Sequence, residues 1–279
     1  MPNTAKLAFG EGVNPQGLLV LRSVIGAAGM AAFLVARGQT LLISRRYILA
    51  TALGGLSLAA TAGGGMGAVA FIDVSLASVI IFTYPLFVAV VNHVRGEALV
   101  VRRDWGLLVL SLFGLALALG VSLDRLNATG VLLALLSSLG ITVMVLLLSD
   151  TSRAVGAVRA NLYMTMWGTL YFLLLGLLGP MAGLIEPMAF PQSRWAWFLV
   201  LSAAGTFTLG YLLFFSATLI IGATRASMLS ILEPIMMILF AIILVGEWLG
   251  PLQWLGMALV LGSLWVMEAF PAQRDKEEQ

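Results

Sequence analysis

The 279-residue sequence is 61% hydrophobic and 10% charged, with a mean hydropathy of +1.04. That leaves too little polar surface to cover a soluble globule, so the chain belongs in lipid. Zero cysteines exclude disulfides, thiolate metal sites and cysteine nucleophiles, and a single histidine excludes a multi-histidine metal centre made by this chain alone. The net charge of +2 does not point to nucleic acid, because the basic residues are spread through the segments that flank the apolar runs.

Met1 to Gln16 read as neither a span nor a signal peptide: they hold Lys6, Glu11, Asn14 and Pro15 and have no apolar core. Nine apolar segments follow, over about 17–36, 47–70, 74–95, 105–122, 128–148, 160–184, 195–218, 226–246 and 251–270. Each approaches the roughly 20 residues that a spanning helix needs. Long continuous runs of this kind exclude an alternating β-barrel. The expected fold is therefore an all-α polytopic membrane helix bundle.

Positive charge sets the orientation, because Lys and Arg are retained on the cytoplasmic side. Arg37, Arg45, Arg46, Arg95, Arg102, Arg103, Arg153, Arg159, Arg225, Arg274 and Lys276 fall on one side; Lys6, Arg125 and Arg194 fall on the other. The expectation is a multi-pass inner-membrane protein with its C-terminus in the cytoplasm and, with nine spans, its N-terminus outside.

The sequence also repeats itself. Tyr84-Pro85 aligns with Glu233-Pro234, and Gly96-Glu97 with Gly246-Glu247 at an offset of 150. A glycine follows each glutamate by nine residues (Gly106 and Gly256), with Trp105 and Trp254 close by. Upstream, Ser75 to Ser78 stand opposite Thr224 to Ser227 at an offset of 149. Two copies with the same odd number of spans insert upside down relative to each other, the inverted-repeat plan of secondary transporters. The expected division is 1–122 for the first copy and 123–279 for the second. The second copy counts five spans and the first four, so one helix is expected to be missing at the front, through a start assigned too far downstream or as a true nine-helix protein.

A buried proline, a glycine-glutamate pair and a further glycine, twice per chain, resemble the EamA family of the drug/metabolite transporter superfamily. The resemblance runs from Lys6 onward and implies a ten-helix, five-plus-five transporter. It implies that the helices around Tyr84-Pro85 and Glu233-Pro234 line a central cavity, and that the activity is export of small metabolites such as amino acids or related amphipathic compounds. The competing expectations are uptake or exchange of sugars or nucleotides, and a non-transporting scaffold or remnant.

Several residues are candidates for the site, each with a plainer alternative. Glu233 is the only carboxylate well inside a span; it either titrates or binds a substrate ammonium, or caps a helix beside Pro234. Pro85 and Pro234 each remove a backbone donor and kink their helices. Arg22 is too deep for a loop charge and either meets an anionic substrate or snorkels to the interface. Tyr84, Tyr163, Trp167 and Tyr211 are deep enough for a cavity wall, whereas Trp195, Trp197, Trp248 and Trp254 lie near span ends, as aromatic belts do. His93 reads as interfacial, and Glu97 and Glu247 as solvated helix ends. The runs Gly63 to Gly67 and Gly179 to Gly183 allow close helix approach.

No GxxxxGK[ST] loop occurs, and Lys6 and Lys276 are the only lysines, so ATP binding by this chain is not expected. One histidine and one deep carboxylate make no catalytic constellation, so neither an enzyme nor a cofactor is expected. The expected partners are a small-molecule substrate and the bilayer.

Overall fold

Each of the nine apolar segments is helical in the computed structural model, which describes residues 7–96, 102–121, 126–181, 183, 186–245 and 250–269. The helices are α1 (Pro15–Ala36), α2 (Ile48–Ala68), α3 (Val74–Ile81), α4 (Tyr84–Val94), α5 (Arg102–Ala118), α6 (Ala128–Val155), α7 (Ala157–Met181), α8 (Arg194–Leu229), α9 (Leu232–Val245) and α10 (Pro251–Ala269). A 3-10 turn, Arg45–Tyr47, leads into α2. No strand occurs among the described residues. Among the described residues, six stretches are long and apolar enough to cross a membrane: Pro15–Ala36, Arg45–Ala68, Val74–Val94, Ala128–Val155, Ala157–Met181 and Arg194–Leu229. The chain is an all-α, polytopic membrane protein.

Four features differ from the sequence expectation, each for a local reason. The segment 74–95 is interrupted at Phe82 and Thr83, and 226–246 at Ser230 and Ile231, so each is two helical pieces ahead of its proline. Helix α6 continues past 148 to Val155. The polar run there reads as a loop, but Thr151 bonds the Leu147 carbonyl at 2.7 Å and stays helical. No loop separates the seventh segment from the eighth; α8 passes through a single non-helical residue, Gly222, with φ 81° and ψ 157°. Only glycine adopts that backbone readily.

Two compact units divide the chain, one of residues 1–59 and 143–222, the other of 60–142 and 223–279. In the first unit α1 and α7 lie antiparallel: Met30 and Leu34, late in α1, pack on Leu162, early in α7. Asn14 caps α1 by accepting from the Gly17 N–H at 2.9 Å, and its amide also binds the loop after α7 through Pro187 and Ala189. Gly55 of α2 lies against α7, where an added Cβ would stand 2.6 Å from the Trp167 Cβ and 2.7 Å from the Gly168 nitrogen.

In the second unit α5 and α10 form the corresponding antiparallel pair. A Cβ on Gly114 would lie 2.8 Å from the Gly256 carbonyl oxygen, and one on Gly256 would collide with the Ala118 nitrogen and the Gly114 oxygen. Leu108, Leu115, Met257, Val260 and Leu264 fill the seam around this contact, joined by Ile231 and Ile235. Gly64 of α2 packs on α6 in the same way, so that an added Cβ would lie 2.7 Å from the Leu133 oxygen, and Ser137 donates to the Thr61 carbonyl at 2.9 Å. Lipid supplies no hydrophobic force between helices, so backbone approach at such small residues is what holds them together.

Gly256→Val should therefore part α5 from α10 and lower stability by about 1–3 kcal/mol. Gly262→Val on the same helix, where a Cβ meets nothing within 4 Å, should be neutral. Thermal melting in one detergent compares the two; equal melting temperatures would contradict the packing account. In the first unit Gly55→Val should destabilise by a similar amount.

Candidate functional site

The second unit joins its two helix interruptions. Pro85, second residue of α4, has no N–H for the Ile81 carbonyl; Pro234, third residue of α9, has none for the Ser230 carbonyl. Each interruption carries a hydroxyl residue that bonds back three positions: Thr83 to the Ile80 carbonyl at 2.6 Å, Ser230 to the Ser227 carbonyl at 2.5 Å. The Glu233 N–H takes up the Ser230 carbonyl at 2.9 Å in place of the missing proline donor. Tyr84, buried at the first position of α4, shares a hydrogen bond between its phenol and the Ser230 hydroxyl. Residues 146 apart thus tie one broken helix to the other.

Uncharged polar groups extend this junction. The hydroxyls of Thr83 and Ser138 lie 3.0 Å apart. Two turns beyond Tyr84, buried Asn92 donates from Nδ2 to the Thr224 hydroxyl at 2.9 Å, and its Oδ1 has no hydrogen-bond partner among the described residues. Pro85 and Pro234 are buried and Glu233 is exposed in the first turn of α9, where the positive end of the helix dipole favours a carboxylate. Tyr84, Pro85, Glu233 and Pro234 are thus brought together here. The proline-broken pair of helices brings hydroxyls, an amide and one acid together inside an apolar fold.

The other candidates fall in the first unit. The Arg22 guanidinium lies 3.9 Å over the Phe207 ring, and its Nε is buried without a hydrogen-bond partner among the described residues. Tyr211 continues the stack, 4.4 Å from Phe207 and 6.1 Å from Phe215. Trp167 stacks on Tyr171 at 6.4 Å, and Tyr163 packs beside Met30 and Leu162. His93 stands edge-on to Trp105 at 6.2 Å. Trp195, Trp197 and Trp254 are exposed. Lys6, Glu97, Arg125, Ala182, Gly246, Glu247, Trp248, Arg274 and Lys276 lie outside the described residues. No cluster of three or more metal-ligating side chains occurs among the described residues.

The sequence assigns no site role to Thr83, Ser138, Ser230 and Asn92, and marks Thr224 and Ser227 only as part of the repeat. A serine or threonine in an apolar helix ordinarily bonds its own preceding turn, so nothing marked these as a group. The available signal was a hydroxyl residue shortly before each buried proline.

Comparison with known proteins agrees with this architecture. Residues 128–268 match the EamA-like transporter family. The chain is 30% identical over 205 residues to the "Uncharacterized transporter YcbK" of Bacillus subtilis (strain 168), a match that covers 72% of this chain and 65% of that protein, just under two thirds of its length. A protein of solved crystal structure superposes with a TM-score of 0.74 at 18% identity, covering 94% of this chain and 91% of that one, which establishes a shared fold. The chain, a multi-pass membrane protein, belongs to the EamA-like transporter family.

Proposed function

We propose that this chain is a secondary transporter that exports small metabolites, such as amino acids or related amphipathic compounds, across the inner membrane by alternating access. The observation that carries the proposal is the Tyr84–Ser230 hydrogen bond between two proline-broken helices. Broken helices at a repeat junction supply carbonyls and helix ends to a substrate while remaining free to rock. Tyr84, Pro85, Glu233 and Pro234 form the substrate contact, and Glu233 is its coupling or ammonium-binding group. Within the first unit, Tyr163, Trp167, Tyr211 and Arg22 are a separate group of candidate apolar and cationic contacts.

The division into inverted repeats, 1–122 and 123–279, is supported by which helices pair. Counting back from each C-terminal end of a repeat, α1 and α7 are corresponding helices, as are α5 and α10, and both pairs lie antiparallel within their units. Corresponding helices packed antiparallel are what an inverted repeat produces. The distribution of arginine favours a cytoplasmic C-terminus. With no native cysteine, Arg95→Cys and Gln279→Cys variants can be labelled from either side. Both should react from the cytoplasmic face; labelling from opposite faces would end the inverted-repeat reading.

Transport itself is measured as flux from proteoliposomes against a panel of amino acids, sugars and nucleotides. Glu233→Gln should lower flux by about tenfold, the scale of 1.4 kcal/mol, and flatten its dependence on pH. Unchanged flux with an unchanged pH profile would remove Glu233 from the mechanism. Tyr84→Phe and Ser230→Ala should each slow transport, and the double variant should be no slower than either alone, since both remove one bond. Additive losses would mean that the two side chains act separately.

A further inference from the structure

In the first unit a charged residue stands at the head of an apolar face of α1. Arg22, Gly26, Gly29 and Phe33 recur at the spacing that puts residues on one side of a helix. Helix α8 runs beside α1 in the same direction: Leu18, early in α1, packs with Ala196 and Val200, and Met30 and Leu34, later in α1, with Leu212. Between the two helices runs a trough of about 330 Å³, lined by Ile25, Gly29, Phe33, Gly205, Thr208 and Leu209 among others. Thr208 is the one polar residue in that lining. The trough opens outward: Phe33 and Leu209 are 47% and 57% exposed, and a Cβ added at Gly29 or Gly205 would meet nothing within 4 Å.

Arg22 lies one turn before Ile25 and Gly26, at the end of the trough nearer the start of α1. From Pro15 to Arg22 the helix rises by about 10 Å, a depth from which an arginine snorkels to the phosphates of a bilayer. Its guanidinium rests on the Phe207 ring at 3.9 Å, and Phe207 is backed by Tyr211 at 4.4 Å. Stacking engages the π-face and leaves the N–H donors around the edge to find oxygen elsewhere. Nε finds none among the described residues. The residue as a whole is only half-buried, so the outer end of the fork is open to an incoming anion. Helices α1, α7 and α8 contain no carboxylate. A cation in a span calls for an acceptor, and these helices offer it no opposite charge.

We propose that the trough is a seat for one anionic phospholipid, with an acyl chain lying between α1 and α8 and the phosphate held by Arg22. The apolar lining receives the chain, and the open floor at Gly29 and Gly205 lets its methylenes lie against backbone. The phosphate supplies charge-assisted hydrogen bonds to the guanidinium. A headgroup of net negative charge is favoured because the ammonium of a zwitterionic one would find no carboxylate on α1, α7 or α8. The lipid comes from the leaflet that faces the N-terminal end of α1, and its binding is independent of which molecule the chain transports.

Native mass spectrometry of the purified full chain, titrated with dioleoylphosphatidylglycerol or dioleoylphosphatidylcholine, compares two lipids that have the same acyl chains. Phosphatidylglycerol should bind about fivefold more tightly than phosphatidylcholine, the ratio that a single arginine beside an anionic headgroup supplies. Arg22→Gln should bring the two lipids level. Gly205→Leu, whose side chain enters open space in the trough, should weaken both. Glycerophosphate, which has the phosphate without the chains, should not compete. Equal binding of the two lipids by the wild type, a preference that survives Arg22→Gln, binding untouched by Gly205→Leu, or displacement of the lipid by glycerophosphate would each overturn the proposal.

Discussion

The whole arrangement depends on backbone contact between antiparallel helices at glycine. Hydrocarbon around a membrane protein is as apolar as leucine, so apolar side chains gain little by leaving it, and helices adhere where their backbones come close enough for dense van der Waals contact. Gly114 with Gly256, and Gly55 with Gly168, provide this at one seam in each unit. A methyl group at Gly55, Gly114 or Gly256 would strike backbone or the root of a neighbouring side chain, which cannot move aside cheaply, and one at Gly168 would meet the tip of Leu58.

Polar groups obey the complementary constraint. Within the spans most hydroxyls bond a carbonyl of their own helix, as Thr51 does with Tyr47, Ser57 with Leu53 and Ser263 with Leu259, and so are neutralised without tying helices together. Thr61 with Ser137, Thr83 with Ser138, Tyr84 with Ser230 and Asn92 with Thr224 behave differently and cross between helices. These four contacts lie in the second unit, and two of them sit at the helix interruptions ahead of Pro85 and Pro234. Proline removes a ladder bond, the chain answers with hydroxyls, and the result is a polar junction inside an apolar fold. Such a junction is costly unless it is used, which is why function is sought there.

Much of the fold was legible. Long apolar runs locate the helices within a few residues, because a backbone in hydrocarbon must satisfy its own hydrogen bonds and helix is the simplest way to do so. The errors came where that rule is weakest. Asp150 to Arg153 read as a loop yet continue α6, and Ser230-Ile231 interrupts a run with no polar break of its own. At the junction of the two helix interruptions, Tyr84, Pro85, Glu233 and Pro234 stood out in the sequence because of the repeated proline. Ser230 and Asn92 did not, since their partners are 146 and 132 residues away.

Residue order alone determined the environment, the helical class and the family likeness, all of which follow from composition and from spacing along the chain. Tertiary structure decided which helices pair, that the two interruptions share a hydrogen bond, and that Arg22 rests on Phe207. The physical reason is that helices apolar all round carry no stripe to say which face turns inward. That choice is made by the fit of glycines and hydroxyls across the seam, a property of two helices together and of neither alone.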